Sequence, residues 1–176
     1  MMLRRAVLAV LVPVACLVVT SGGPAGAVRP EPSSAARLGI PRTYDAAVAH
    51  IDAATRTRTL KKFYSPSHNI YCNVGLKSYP RGCEINEGAV NDPDACAGNP
   101  QTKDVGRLEF HGNRVVPVCN TDTIRTGGTK VLAYGQATTS GGFTCVSESI
   151  GVTCISLTRT LGFFLHRGEY VIFNAG

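Results

Sequence analysis

From Thr43 onward the chain alternates short apolar runs with polar, turn-forming ones. The densest alternation lies in Leu132–Phe173, LAYGQATTSGGFTCVSESIGVTCISLTRTLGFFLHRGEYVIF. There Gly-Phe-Thr-Cys145 and Gly-Val-Thr-Cys154 read as strands on either side of Glu148-Ser149-Ile150-Gly151, a four-residue hairpin loop with Gly151 at positive φ. That register sets Cys145 directly opposite Cys154. Opposed residues hold their Cβ atoms about 4.5–5.5 Å apart and a disulfide wants about 3.5–4.5 Å, so a small strand adjustment closes the bridge.

An earlier stretch repeats the pattern. Lys61 to Cys72 gives a strand, a turn at Ser65–Asn69 and the strand Ile70-Tyr71-Cys72. After the loop Gly75–Gly82, Cys83-Glu84-Ile85 returns as a second strand. Each segment is a turn, a strand ending in Cys, a loop and a strand carrying Cys, and we read an internal repeat of two disulfide-tied hairpins. Leu108-Glu109-Phe110 and Val115–Cys119 form strands around Gly112-Asn113, Ile124 and Val131–Tyr134 continue the β pattern, and Gly162–His166 pairs with Tyr170–Phe173. Upstream, Tyr44, Ala47, Val48 and Ile51 recur at helical spacing behind Thr43, which can cap; this predicts a short helix from Tyr44 to Thr55 with His50 facing solvent. The expected fold is mainly β: a small disulfide-stapled domain of short antiparallel strands and hairpins, with a short N-terminal helix after a linker.

Composition adds a compartment. Of 176 residues, the first 27 carry Arg4 and Arg5, an apolar run Ala6–Val19 interrupted by Pro13, and the small-residue site Ala25-Gly26-Ala27, the features of a cleaved signal peptide. Residues 28–59 read as a linker holding the helix, and 60–176 as the β domain. Cys16 leaves with the signal, so six cysteines remain: Cys72, Cys83, Cys96, Cys119, Cys145 and Cys154. Six allow 15 pairings in an oxidising compartment. The two hairpins select Cys72–Cys83 and Cys145–Cys154, and Cys96–Cys119 follows by elimination. A domain this small buries only about 60–68 % of its unfolded surface, and three local bridges at about 2.5–3.5 kcal/mol each supplement that core.

Charge narrows the partners. Arg29, Arg37, Arg42, Arg56, Arg58, Lys61 and Lys62 crowd residues 28–62, whereas acids and bases balance from Phe63 onward. A basic nucleic-acid-binding domain is therefore not expected, nor a membrane span in the mature chain.

The chain resembles a family of small exported domains, of no known activity, found widely in actinobacteria, including mycobacterial secreted proteins and lipoproteins. The resemblance rests on Phe63-x-Ser65-Pro66-Ser67-x-Asn69-Ile70-x-Cys72, Cys83-Glu84-Ile85, Cys119-x-x-Asp122-Thr123, Leu132-x-Tyr134-Gly135-Gln136, the two Gly-x-Thr-Cys runs and Gly162–Phe173. Thr121 and His68 stand where that family has Gly, His166 where it tends to Ser, and a tryptophan often found after the second cysteine is missing. The resemblance implies an exported β-rich domain and transfers no catalytic residue.

Candidate chemistry is sparse. The chain lacks G-x-S-x-G, S-x-x-K, H-E-x-x-H and a Gly-rich phosphate loop. It also lacks C-x-x-C, so neither a zinc ribbon nor a dithiol redox motif is expected. Asp92-Pro93-Asp94 fails as a calcium loop, because Cys96 falls on a ligand position and Ala97 where Gly is needed; an Asx turn explains it. Tyr134, Phe143, Phe163, Phe164, Tyr170 and Phe173 read as core more than as a ligand face. The sequence thus predicts a secreted or envelope-held, non-catalytic binding module with no metal or cofactor. Its alternatives are a secreted hydrolase using His166 or His111 with a carboxylate such as Asp122, and a protein inhibitor presenting Gly75–Gly82 or Gly88–Gly106.

Overall fold

A computed structural model describes residues 39–174; the expected signal peptide, its cleavage site and the linker through Leu38 lie outside them. One helix, α1 (Tyr44–Ala53), is followed by β1 (Thr55–Arg56), β2 (Lys62–Tyr64), β3 (Ile70–Asn73), β4 (Gly82–Ile85), β5 (Val90–Asn91), β6 (Asp104–His111) and β7 (Arg114–Cys119). Then come β8 (Lys130–Val131), β9 (Gln136–Ser140), β10 (Phe143–Glu148), β11 (Gly151–Ser156), β12 (Leu161–His166) and β13 (Glu169–Asn174). The mainly-β, disulfide-stapled fold is as expected. Among the described residues no helix is long and apolar enough to cross a membrane.

The strands form a six-stranded and a seven-stranded sheet that share one meander plan; the second also carries β5, antiparallel to β6. In one, β9-β10-β11-β12-β13 is an antiparallel meander, with β1 added in parallel to β9. In the other, β2-β3-β4-β6-β7 is an antiparallel meander, with β8 added in parallel to β2. The edge strand of each sheet comes from the segment that leads into the other. The internal repeat thus extends well beyond two hairpins, and the halves exchange strands.

Strand alternation fills two cores. Cys72, Val74, Cys83, Leu108 and Phe63 of the first sheet meet Phe143, Cys145, Val152, Cys154, Phe163 and Leu165 of the second. On the far face of the second sheet, Ala137, Val146, Ile155, Phe164 and Phe173 pack against Ala47 and Ile51 of α1. The Thr43 hydroxyl caps this helix by accepting from Ala46 N–H at 3.2 Å, and Ala54 ends it in extended conformation. The helix stops short of Thr55, which is taken by β1. Since α1 and β1 are built into the sandwich, the folded body begins well before Leu60, and 44–59 is not linker.

The bridges are Cys72–Cys83, Cys96–Cys119 and Cys145–Cys154. Cys72↔Cys83 and Cys145↔Cys154 are registered pairs with Cα atoms 4.1 Å apart, the close spacing of non-hydrogen-bonded positions. These two bridges meet in the core, Cys83 Sγ lying 3.7 Å from Cys154 Sγ. The β10–β11 loop is two residues rather than four, because Glu148 pairs with Gly151. Gly151 is required there: its φ is +145°, and a Cβ would lie 2.6 Å from the Leu165 carbonyl and 2.8 Å from the Phe164 ring.

Two further expectations are corrected. Ile124 is buried at 3 % exposure but lies in no strand, and of Val131–Tyr134 only Val131 does. The segment 120–129 is a strap over the outer face of the first sheet. Its anchor is Glu84, whose carboxylate accepts from Thr123 Oγ1 at 2.8 Å, Ile124 N–H at 2.7 Å and Arg125 Nε at 2.9 Å. Beside it Arg107 donates to Glu109 at 2.5 Å and to the Asp122 carbonyl at 2.6 Å.

Candidate functional site

Four turns converge on a cleft of about 430 Å³. The β2–β3 turn contributes Ser65 to Asn69. Asn86 and Glu87 follow β4, Ser149 and Gly151 come from the β10–β11 turn, and His166 and Arg167 from the β12–β13 turn; Tyr134 completes the wall. Both repeats contribute to it.

Three of the walls are hydrogen-bonded to one another. Ser65 N–H donates to the Ile70 carbonyl at 2.8 Å, and Ile70 N–H to Ser65 Oγ at 3.1 Å, closing the first turn. The Asn69 side chain clips that turn to the strand end, its amide donating to the Glu87 carbonyl at 3.1 Å and its oxygen accepting Glu87 N–H at 2.8 Å. Gly168 N–H donates to the Gly88 carbonyl at 2.8 Å, joining the β12–β13 turn to the same segment. His68 has φ +58°, the one non-glycine residue at positive φ among those described, and its ring stacks on Tyr64 with centroids 5.3 Å apart. The backbone there is one that favours Gly, and a histidine holds it at the edge of the cleft. Non-glycine residues in that region cost on the order of 1–3 kcal/mol and gather at ligand sites.

Tyr134 departs from the aromatic pattern. Phe143, Phe163, Phe164 and Phe173 are buried as core and Tyr170 is half-buried, its hydroxyl bonded to Asp92. Tyr134 is 47 % exposed, a ring offered to solvent among polar groups.

Bordering the cleft, Glu148 is met by the residue that the sequence placed in solvent. His50 is 2 % exposed, and its Nδ1 lies 3.0 and 2.8 Å from the two carboxylate oxygens of Glu148. Burial pushes the Glu148 carboxyl above its ordinary range, against the pull of His50. The pair ties α1 to the β10–β11 hairpin. His50 sits on the Ala47/Ile51 face of the helix, a signal the sequence carried, but its partner is 98 residues away.

The other candidates are scattered. His166 lines the cleft while Asp122 lies on the strap, and the structure shows no bond between them. His111 Nε2 does meet a carboxylate, Glu109 at 2.6 Å, on the strapped outer face and outside the cleft. Asp92 closes its turn by accepting Ala95 N–H at 2.9 Å. That bond, then the Tyr170 hydroxyl, holds its carboxyl below the usual value. The sulfurs of Cys72, Cys83 and Cys154 fall within 4.8 Å of one another, but all three are in disulfides, and the form that binds metal is the thiolate.

No family model, curated protein or solved structure matches the chain.

Proposed function

We propose that the protein is an exported, non-catalytic binding module, and that the cleft at Tyr134 takes a polar, hydroxyl-rich ligand of the cell envelope or extracellular space. The observation that carries this reading is the lining itself. An exposed aromatic ring is set among amide, imidazole, guanidinium and carboxylate groups, and three of the four turns that carry them are hydrogen-bonded to one another. A ring face packs against the apolar side of a sugar, and fixed polar groups select its hydroxyls. Export is supported by three disulfides and by the signal-like first 27 residues; the resemblance to actinobacterial exported domains points the same way.

The test is retention on immobilised polysaccharide from the producing cell's own envelope. Tyr134→Ala and His166→Ala should each weaken retention at least tenfold while the melting temperature stays within a few degrees. Turnover of the polysaccharide that disappears in His166→Ala would instead favour the hydrolase reading.

A specific observation favours a second reading, the inhibitor. The loop Gly75–Gly82 lies between bridged Cys72 and Cys83. It is braced from inside by Asn73, whose amide donates to the carbonyls of Leu76, Tyr79 and Pro80 at 3.2, 3.2 and 2.9 Å. Tyr79 at its tip is 44 % exposed. The corresponding β10–β11 loop has only Ser149 and Ile150 between paired residues, so this loop is an addition to the repeat. Under this reading Tyr79→Ala, and not Tyr134→Ala, abolishes capture of a protein partner.

A further inference from the structure

The link between β1 and β2 concentrates positive charge. Arg58, Lys61 and Lys62 come from this link and the start of β2, Lys130 comes from β8, and the four surround a cleft of about 280 Å³ with Leu60 and Leu76 among its lining. No carboxylate lines it, and among the described residues none of the four cations forms an ion pair.

The backbone that carries them is fixed. Leu60 N–H donates to Thr138 Oγ1 at 2.9 Å, and the Thr138 hydroxyl donates to the Arg58 carbonyl at 3.0 Å. The Lys61 carbonyl accepts the N–H groups of Val74 and Gly75 at 3.0 and 2.9 Å. Lys62 is already committed, its ammonium donating to Thr126 Oγ1 at 2.8 Å and to the Gly127 carbonyl. Lys61, Lys130 and Arg58 are exposed and keep their donors for a ligand. Like charges held around one small cleft repel, and an anion between them removes the repulsion and accepts charge-assisted hydrogen bonds.

We propose that this cleft binds a phosphate- or sulfate-bearing small ligand, with Lys61, Lys130 and Arg58 taking the oxyanion and Leu60 and Leu76 meeting its uncharged part. Small-molecule sites start at about 300 Å³, so the cleft accommodates a group of headgroup size, such as a glycerol or sugar phosphate, and not a length of polymer. A free phosphorylated metabolite and an anionic lipid headgroup share this chemistry. The site has no lining residue in common with the Tyr134 cleft and stands or falls independently of it.

Calorimetry of the full chain with inorganic phosphate and with glycerol phosphate, beside co-sedimentation with phosphatidylcholine vesicles with and without phosphatidylglycerol, separates the sources. Lys61→Ala with Lys130→Ala should weaken binding at least about tenfold, the loss of one charge-assisted hydrogen bond or more. Lys103→Ala with Arg114→Ala, which removes the same charge elsewhere, should leave it unchanged. Binding of the soluble phosphates with this pattern supports the proposal with a free ligand. Binding only to phosphatidylglycerol vesicles, with the same pattern, supports it with a lipid headgroup. Binding in no arm, or binding that both double variants weaken equally or neither weakens, overturns it. The cations removed are exposed, and matching melting curves confirm that each variant is folded.

Discussion

His50 and Glu148 show how much one residue's role depends on what the tertiary fold brings to it. Read in sequence, His50 is a polar residue near the end of a short helix; in the fold it is buried against a carboxylate at the edge of the candidate ligand cleft. Since the folded value of Glu148 is raised, its contribution to stability is full below the unfolded carboxyl value, about 4.3, and is lost as pH rises through the folded value. The stability of the wild type relative to Glu148→Gln, measured by urea unfolding, should therefore fall as pH rises above about 4; a difference that stays flat or grows contradicts this. His50→Ala, which leaves the carboxylate buried without its partner, should cost about 1–3 kcal/mol. Glu84 was better signposted, inside the run Cys83-Glu84-Ile85, but its three donors all come from the strap some forty residues on. Long-range polar pairing of this kind leaves no periodicity to read. At His68 the sequence shows only a turn residue, and the strain at that position comes to light with its φ of +58°.

At the scale of elements, what was legible was what closes locally. The hairpins, the capped helix and the bridges Cys72–Cys83 and Cys145–Cys154 follow from alternation and spacing, because their partners lie within one turn or one loop; Cys96–Cys119 follows only by elimination, since β6 and most of β7 lie between its ends. Strand β9, Gln136-Ala137-Thr138-Thr139-Ser140, has no apolar alternation to mark it as a strand. Its place is fixed by β10 on one side and β1 on the other, with Thr138 holding the Leu60 and Arg58 backbone. The exchanged edge strands β1 and β8 are only two residues long, too short for any pattern. Replacing Cys145 and Cys154 together by alanine should cost about 2–5 kcal/mol, read as a lower urea midpoint. The strap should prove separable from the sheets: Glu84→Gln weakens the acceptor for Thr123, Ile124 and Arg125, so amide exchange at 123–126 should accelerate while β10 and β11 stay protected.

For the molecule as a whole, two meanders, each closed by a cross-strand bridge (Cys72–Cys83 and Cys145–Cys154), make one body in contact through Cys83 and Cys154, with its turns at the surface. The candidate cleft at Tyr134, the braced loop after Asn73 and the cationic cleft at Lys61 are all built from loops and strand ends of that body. Export makes its own prediction: the N-terminus of protein recovered from the medium should be Val28, and material beginning at Met1 would contradict it. Ligand binding is assigned above to the cleft shared by the two repeats. Amide chemical-shift mapping of the labelled protein titrated with soluble envelope polysaccharide tests it most directly. Shifts should concentrate at Ser65–Asn69, Asn86, Glu87, Tyr134, Ser149 and His166–Arg167; shifts confined to Gly75–Gly82, or none at saturating polysaccharide, would contradict that assignment.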